Sequence, residues 1–235
     1  MKPRSARALA LPPDLAIIDP AALIRTVDLG AESAVHSVSY IPHWRSDEYW
    51  SWRSVCGEAG VNYSNPRADF EDVVREIRRS EVVLTEAMHG AILADALRVP
   101  WVSVSAYKHI LEFKWLDWCE SLGIEYRPAR LMPLYGAEPA AAMLRATARN
   151  AKRGVVSRSA MRVAAFGVRH ASAPITSLMA ARNVRALARL AREAEPQLSS
   201  DDAIGSATAR LQARLEQLKA DHAAGRFVQS VAATS

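Results

Sequence analysis

Short apolar runs alternate with amphipathic segments through the first 135 residues. Five of these runs have the length and composition of buried strands, namely 35–41, 61–63, 81–85, 101–105 and 124–126. Between them, apolar residues recur at helical spacing, most clearly at Phe70, Val73, Val74 and Ile77. This alternation predicts an α/β fold, a Rossmann-like parallel sheet with helices on both faces.

Capping and turn residues place the predicted helices between those strands. Ser46 is a candidate N-cap for a helix over 47–58, because Asp47 and Glu48 follow it in the first turn. Two more helices are predicted over 89–97 and 111–121.

The composition changes after Pro139. Residues 140–192 contain no Asp or Glu, whereas Arg recurs throughout, including a helical stripe at Arg182, Arg185, Arg189 and Arg192. A last helix is predicted after a cap at 199–201, with an apolar face at Ala207, Leu211, Leu215 and Leu218. We therefore divide the chain into a short link (1–13), a Rossmann-like domain (14–135) and a basic helical tail (136–235).

Charge, cysteine content and apolar run lengths indicate which partners and which cellular compartment to expect. The net charge of +5 favours anionic partners but selects none of them. Two cysteines in 235 residues do not make a disulfide framework, which is typical of a protein of the reducing cytoplasm. The sequence shows no zinc-ligand spacing, no signal peptide and no apolar run long enough for a membrane span.

The segment 85–90 (TEAMHG) carries the candidate chemistry. It joins the end of a predicted strand to the start of a helix, and ligands bind at that edge of a parallel sheet. Free amides and the positive dipole end of the helix favour an anion there, beside His89. Gly90 is expected to let a ligand approach the backbone. On spacing alone, a structural histidine is the favoured interpretation.

Three ordered stretches resemble the polysaccharide pyruvyltransferase family, most closely the branch of succinoglycan-type exopolysaccharide synthesis. They are PRSARALALPPDLAIIDPAALI (3–24), VSYIPHWRS (38–46) and TEAMHGAILADALRVPWVSVSAYKHILEFKWLDWCESLGI (85–124). The resemblance implies half of a GT-B-like fold, the C-terminal half, with an N-terminal domain missing from this chain. It also implies phosphoenolpyruvate as the donor substrate, without a cofactor or a metal.

The family's donor-site histidine corresponds to His89. Many members carry an arginine two positions earlier, where this chain has Ala87. The resemblance therefore leaves a missing cation, for which Arg45, Lys108 and Lys114 are the candidates.

Ketal formation requires acid/base groups that titrate near neutral pH. We predict His89 as one catalytic group and Glu86 as a second if burial raises its pKa. The predicted contacts with phosphoenolpyruvate are Gly90, Ala91, Arg45, Lys108 and His43. Simpler interpretations also hold: Glu86 as a helix cap, His43 and Arg45 as a surface pair, and Trp115 and Trp118 as core residues.

The resemblance suggests a lipid-linked saccharide as the acceptor. Basic residues in 140–192 fit an anionic membrane surface, or else a helix pair packed on the domain, so we expect a cytoplasmic protein, peripheral at the inner membrane. Nucleic acid is not expected, because this stretch has few aromatic residues for stacking. A GT-B-type glycosyltransferase using nucleotide sugars and a non-catalytic remnant domain stay open. The chain alone is predicted to have little or no transferase activity.

Overall fold

The computed structural model describes residues 2–135 and 177–226, and within them a five-stranded parallel sheet forms the centre of the fold. The strands are β1 (His36–Ile41), β2 (Asn62–Tyr63), β3 (Ser80–Thr85), β4 (Trp101–Ser105) and β5 (Ala129–Arg130). Their order is β2-β1-β3-β4-β5, with β3 paired to β1 and β4. The predicted α/β class is confirmed.

Helices connect the strands and cover the sheet. In chain order they are α1 (Pro3–Ala8), α2 (Trp44–Tyr49), α3 (Trp52–Ala59), α4 (Phe70–Arg78), α5 (Met88–Ala96), α6 (Glu112–Ser121), α7 (177–193) and α8 (Asp201–Ala223). Two 3-10 helices, Pro13–Leu15 and Pro20–Thr26, lie between α1 and β1.

Both faces of the sheet are buried, as continuous apolar strands in a parallel sheet require. Val83 and Trp101 belong to a core that includes residues of α4, α5, α6 and α8. Leu84 and Val102 point to the opposite face, in a core with residues of α3 and α7. The prediction of helices on both faces is therefore confirmed.

The region 44–59 contains two helices, so the single predicted helix over 47–58 is wrong. The backbone of Trp50 is extended (φ −159°, ψ 134°), which ends α2 before α3 begins. Ser46 is buried inside α2, and the side chain of His43 caps this helix by accepting the amide of Arg45 at 3.2 Å. A histidine nitrogen thus takes the place of the expected serine hydroxyl.

The predicted strand at 124–126 is also wrong, because the strand that pairs with β4 is β5. Tyr126 instead stacks on Trp115 of α6 with ring centroids 5.3 Å apart. The amide of Ile124 donates to Cys119 at the end of α6. The apolar residues of this segment therefore fix a loop against a helix.

The chain on either side of the sheet domain packs against it. Asp117 of α6 accepts the amides of Arg4 and Ser5, which caps α1. The predicted cap of α8 is confirmed at Ser200, whose hydroxyl accepts the amide of Ala203. The apolar face of α8 is buried only near its start, since Leu215 and Leu218 are exposed.

The predicted basic tail is described only in part. Residues 136–176 lie outside the described residues, and so does most of the basic stretch. Within α7, Leu187 is fully buried in the sheet core, whereas Arg182, Arg185 and Arg189 are exposed. No helix among residues 2–135 and 177–226 is long and apolar enough to cross a membrane.

Candidate active site

A cleft of about 420 Å³ lies at the carboxyl edge of β1, β3 and β4. Open parallel sheets bind ligands at this edge. Its lining comes from the loops and helix starts that follow those strands: His43, Trp44, Pro66, Glu86, Ala87, Met88, His89, His109, Ile110, Leu111, Lys114 and Trp115.

The turn from β3 into α5 is built around Thr85. The Thr85 hydroxyl accepts the amide of Ala87 at 3.1 Å and contacts its carbonyl oxygen at 2.9 Å. A β-carbon at Gly90 would lie 2.6 Å from Oγ1 of Thr85. Glycine is therefore required at position 90 by packing against the strand, which is a different reason from the predicted approach of a ligand.

The amides of Gly90 and Ala91 are directed into the helix. Both donate to the carbonyl of Ala87, at 2.9 and 3.3 Å, and both residues are buried. The first two amides of α5, those of Met88 and His89, precede this hydrogen-bonded part. An anion at this helix start would meet Met88 and His89 before it met the predicted Gly90 and Ala91.

His89 lies at the cleft with 68% of its side chain exposed. Its Nε2 atom is 3.9 Å from Oδ1 of Asp19, which caps the second 3-10 helix and also forms an ion pair with Lys2. The structure thus places the predicted donor-site histidine where it can contact a ligand.

Glu86 is fully buried, although it lies at the cleft wall. Its two carboxylate oxygens accept the amides of His43 (3.3 Å) and Ala106 (2.9 Å). Burial raises the pKa of Glu86, and the nearby Ser46 side chain, these two amides and the backbone of Tyr107 oppose that rise. The carboxylate of Glu86 therefore links the segments that follow three adjacent strands, β1, β3 and β4.

Two histidine rings stand side by side in the cleft. The ring centroids of His43 and His109 are 4.9 Å apart. Burial, with the positive charges of Arg45 and Lys114, lowers the pKa of His43 to about 4. Burial also lowers the pKa of His109, whose Nε2 lies 3.2 Å from the Ser46 hydroxyl. Both imidazoles are thus neutral near pH 7.

The sequence analysis missed His109. The signal for it was the same as for Lys108, because both follow the carboxyl end of β4. The loop brings His109 into the cleft and leaves Lys108 exposed outside the cleft lining.

Of the three cations considered as replacements for the family arginine, Lys114 lines the cleft. Arg45 is exposed and lies outside the lining, yet its charge is close enough to lower the pKa of both His43 and His109. Lys114 on α6 is therefore the cation best placed to contact an anion bound there.

Aromatic side chains at the cleft differ in exposure. Trp44 is 48% exposed, and the guanidinium of Arg67 lies 5.7 Å from its ring centre. Trp115 and Trp118 are buried in the core, which confirms their interpretation as core residues. Trp44 is thus an aromatic surface at the cleft mouth.

The donor set at the cleft suits an organic anion better than a metal ion. Among the described side chains, no group of three or more His, Cys, Asp or Glu residues is placed to hold a metal. Imidazole, ammonium and amide groups instead offer hydrogen bonds to oxyanions.

Comparison with known proteins finds one matching family and one similar protein. Residues 26–108 match the family model described as polysaccharide pyruvyl transferase. The succinoglycan biosynthesis protein ExoV of Rhizobium meliloti (strain 1021) is 42% identical over 130 residues, which is 55% of this chain. No solved structure matches the chain significantly.

The chain covers 41% of the length of ExoV, less than half of that relative. The matched segment includes His43, Glu86 and His89, whereas His109 and Lys114 follow its last residue. Together with the parallel sheet, these matches support the resemblance seen in the sequence: residues 26–108 of this chain are similar to the polysaccharide pyruvyl transferase family.

Proposed function

We propose that this chain contributes the donor-binding part of a transferase that moves a pyruvyl group from phosphoenolpyruvate to a saccharide as a ketal. The observation that carries the proposal is the cleft, where His89, His109 and Lys114 meet at the carboxyl edge of the family-matched sheet. These groups fit a small substrate with one phosphate and one carboxylate.

The reaction needs balanced proton transfers but no resident cofactor. Two sugar oxygens form bonds to C2 of phosphoenolpyruvate, the bond from C2 to the phosphate oxygen breaks, and C3 gains a proton. Of the two hydroxyl protons released, one balances the proton on C3 and the other leaves with phosphate. The exposed imidazole of His89 at the cleft is suited to deliver a proton to C3. The amides of Met88 and His89, with Lys114, are suited to hold the phosphate.

The acceptor is expected to be a saccharide of an exopolysaccharide repeat unit, since the relative ExoV is named for succinoglycan biosynthesis. A lipid-linked acceptor would place the reaction at the cytoplasmic side of a membrane. The exposed arginines of α7 supply positive charge for such a surface. The exposed ring of Trp44 at the cleft mouth is suited to stack on a sugar.

A nucleotide-sugar glycosyltransferase would bind the ribose of its donor through a carboxylate. The two candidates for that role, Glu86 and Asp95, are both engaged in other contacts. Glu86 is fully buried and accepts the amides of His43 and Ala106. Asp95 is fully buried and accepts Nε1 of Trp101 at 3.0 Å and the amide of Ser199 at 2.9 Å. These contacts favour phosphoenolpyruvate over a nucleotide sugar as the donor.

Incubation of the chain with phosphoenolpyruvate and an oligosaccharide acceptor tests the proposal. We expect slow formation of a ketal methyl signal in proton NMR, with an equal amount of released phosphate. A parallel incubation uses UDP-glucose as the donor. Sugar transfer from UDP-glucose without any reaction of phosphoenolpyruvate would contradict the proposal.

A further inference from the structure

One ring nitrogen of His43 is engaged with the backbone. The side chain of His43 caps α2, and its Nδ1 atom accepts the amide of Arg45 at 3.2 Å. A backbone N–H group can only donate, so Nδ1 carries a lone pair and no hydrogen. In the neutral ring the proton therefore lies on Nε2. The Nε2–H group is then what His43 can offer to a ligand in the cleft that it lines.

The ring of His43 is fixed through both its backbone and its side chain. Its amide donates to the buried carboxylate of Glu86 at 3.3 Å. The ring centroid lies 4.9 Å from that of His109 and 5.7 Å from that of Trp44. Together with the hydrogen bond to Nδ1, these contacts orient the ring before any ligand binds, as a donor of defined direction requires.

The surroundings of the ring favour its neutral form. A proton on Nδ1 would set a second donor against the amide of Arg45, and the cap of α2 would be lost. Burial lowers the pKa of His43 to about 4, and His109, Arg45 and Lys114 lower it further. Glu86 is acidic, but both its oxygens accept backbone amides. The titratable and charged groups that contact His43 or line the same cleft are Arg45, Glu86, His89, His109 and Lys114.

A neutral donor suits a cleft that already contains positive charge. Lys114 lines the cleft, and the charge of Arg45 acts on the ring of His43. A charged His43 would be repelled by both groups before any ligand arrived. The neutral N–H group offers a hydrogen bond to an oxyanion without this repulsion, as backbone amides do in oxyanion-binding sites.

We propose that His43 is a neutral hydrogen-bond donor whose Nε2–H group contacts an oxygen of the anion bound in the cleft. In the proposed pyruvyl transfer, this oxygen belongs to the phosphate or the carboxylate of phosphoenolpyruvate. The tautomer stands on the geometry alone, whereas the identity of the anion rests on the proposed function. The sequence predicted His43 as a contact of this substrate but gave neither the atom nor the charge of the ring. The assignment leaves proton transfer to other groups of the cleft.

Long-range proton–nitrogen NMR of the histidine rings tests the tautomer without any ligand. We expect His43 in the Nε2–H form from pH 6 to pH 8. Its signals are assigned by their loss in His43→Asn, and they should remain in His222→Ala, which removes an exposed histidine of α8. A dominant Nδ1–H form, or a charged ring at pH 7, would overturn the proposal.

The same spectra, recorded with three anions, test the contact with a ligand. Phosphoenolpyruvate, inorganic phosphate and pyruvate are added separately, because the last two each carry one of the two anionic groups. We expect phosphoenolpyruvate to shift the Nε2–H signals of His43 and to slow the exchange of this proton with water. A response to phosphate alone or to pyruvate alone supports the donor role and identifies the group contacted. If the His43 signals respond to none of the three anions, the donor role is overturned.

Two substitutions separate the ligand contact from the helix cap. Asparagine in His43→Asn retains an acceptor for the amide of Arg45, but it is too short to place a donor where Nε2 lies. We expect this variant to bind phosphoenolpyruvate about tenfold more weakly, the effect typical of losing a hydrogen bond to a charged group, with an unfolding midpoint near that of the wild type at pH 7. His43→Ala removes the cap as well and should also lower the midpoint. Equal affinity in His43→Asn and the wild type would overturn the donor role.

The pH dependence of this loss separates a neutral donor from a charged one. The ratio of the affinities of the wild type and His43→Asn cancels the ionisation of the ligand. We expect the same ratio at pH 6 and pH 8, because the ring is neutral at both values. A ratio that rises toward pH 6 would show binding by a charged imidazolium and overturn the proposal. If phosphoenolpyruvate does not bind to the wild type, the proposed function fails, while the tautomer and the responses to phosphate and pyruvate still decide the donor role.

Discussion

Gly90 of α5 packs directly on the hydroxyl of Thr85, so closely that a β-carbon at position 90 would lie 2.6 Å from Oγ1. That hydroxyl also holds the turn that begins α5. We therefore predict that Gly90→Ala lowers the free energy of unfolding by about 1–3 kcal/mol, as overpacking does elsewhere. Chemical denaturation of the purified chain measures the change.

Two variants control that prediction. Gly57 is exposed within α3 and has open space around its α-carbon, so Gly57→Ala should stabilise the chain by about 0.5–1 kcal/mol. Thr85→Ala removes the oxygen that a β-carbon at position 90 would contact. In that background, Gly90→Ala should lower the free energy of unfolding less than it does in the wild type. An unchanged free energy of unfolding in Gly90→Ala would show that packing does not require glycine at this position.

Stability is expected to fall in acid because of His43. Its pKa is about 4 in the folded chain, below the usual 6.5, because the ring is partly buried and lies near His109, Arg45 and Lys114. Between pH 6.5 and 4 the unfolded chain binds the extra proton, so this contribution to stability is lost as pH falls through that window. Glu86, with a raised pKa, acts in the opposite direction.

The substitution His43→Asn isolates the effect, since asparagine retains a capping acceptor and does not titrate. We expect the variant to unfold near the wild-type midpoint at pH 7 and to lose less stability between pH 6.5 and 4. Denaturation at both ends of that range measures the difference. Parallel pH profiles for the two proteins would show that His43 titrates normally.

Asp95 is expected to fix the start of α8 to the sheet domain. Its buried carboxylate accepts the indole of Trp101 and both the amide and the hydroxyl of Ser199. Asp95→Asn would direct an amide group at these donors, so we predict a loss of about 2 kcal/mol or more. Hydrogen exchange at residues 199–207 should accelerate as well.

The matched control for this anchor is Glu216→Gln. Glu216 forms an exposed ion pair with Lys219 farther along α8. Its loss should change stability by less than about 0.5 kcal/mol. Equal effects of the two substitutions would refute the anchoring role of Asp95.

Most strands could be predicted from the sequence because their apolar runs are continuous. The start of β4, for example, follows from Pro100 before Trp101. The break between α2 and α3 could not, because it depends on the extended backbone of Trp50 in a sequence with no proline or glycine there.

The candidate site, too, could be predicted from the sequence only in part. His89 could be found because it follows a strand end within a recognisable motif. The place of His109 in the cleft could not, since its ring contacts the hydroxyl of Ser46, 63 positions away, which the sequence suggested as a helix cap. Burial of Glu86 depends on three strand ends that only the folded sheet brings together.

The exposed arginines of α7 are predicted to bind anionic vesicles. Each basic residue near such a surface contributes about 1 kcal/mol. Neutralising three of them should therefore weaken binding about 100-fold at low salt. The substituted residues are Arg182, Arg185 and Arg189. Co-sedimentation with liposomes measures the change.

The control neutralises the same number of charges elsewhere, at Arg127, Lys219 and Arg226. Binding of this control variant to anionic vesicles should fall much less than binding of the α7 variant. Neither variant should bind uncharged vesicles. If the wild-type chain fails to bind anionic vesicles at low salt, the membrane proposal is refuted.

His89→Ala is predicted to weaken binding of phosphoenolpyruvate at least tenfold without changing the thermal midpoint. The side chain is 68% exposed, so its removal leaves no cavity in the core. His222→Ala, an exposed histidine of α8, is the matched control. Calorimetric titration gives the affinities, and unchanged affinity in His89→Ala would show that His89 does not contact the donor.

The central claim is that the cleft at the carboxyl edge of the sheet binds phosphoenolpyruvate. Titration of the isotope-labelled chain, followed by amide NMR, tests this claim most directly. We predict the largest shifts at residues 86–89 and 109–114, with weaker responses to inorganic phosphate and none to UDP-glucose. Shifts centred away from these residues, or a stronger response of the cleft to UDP-glucose, would contradict the account.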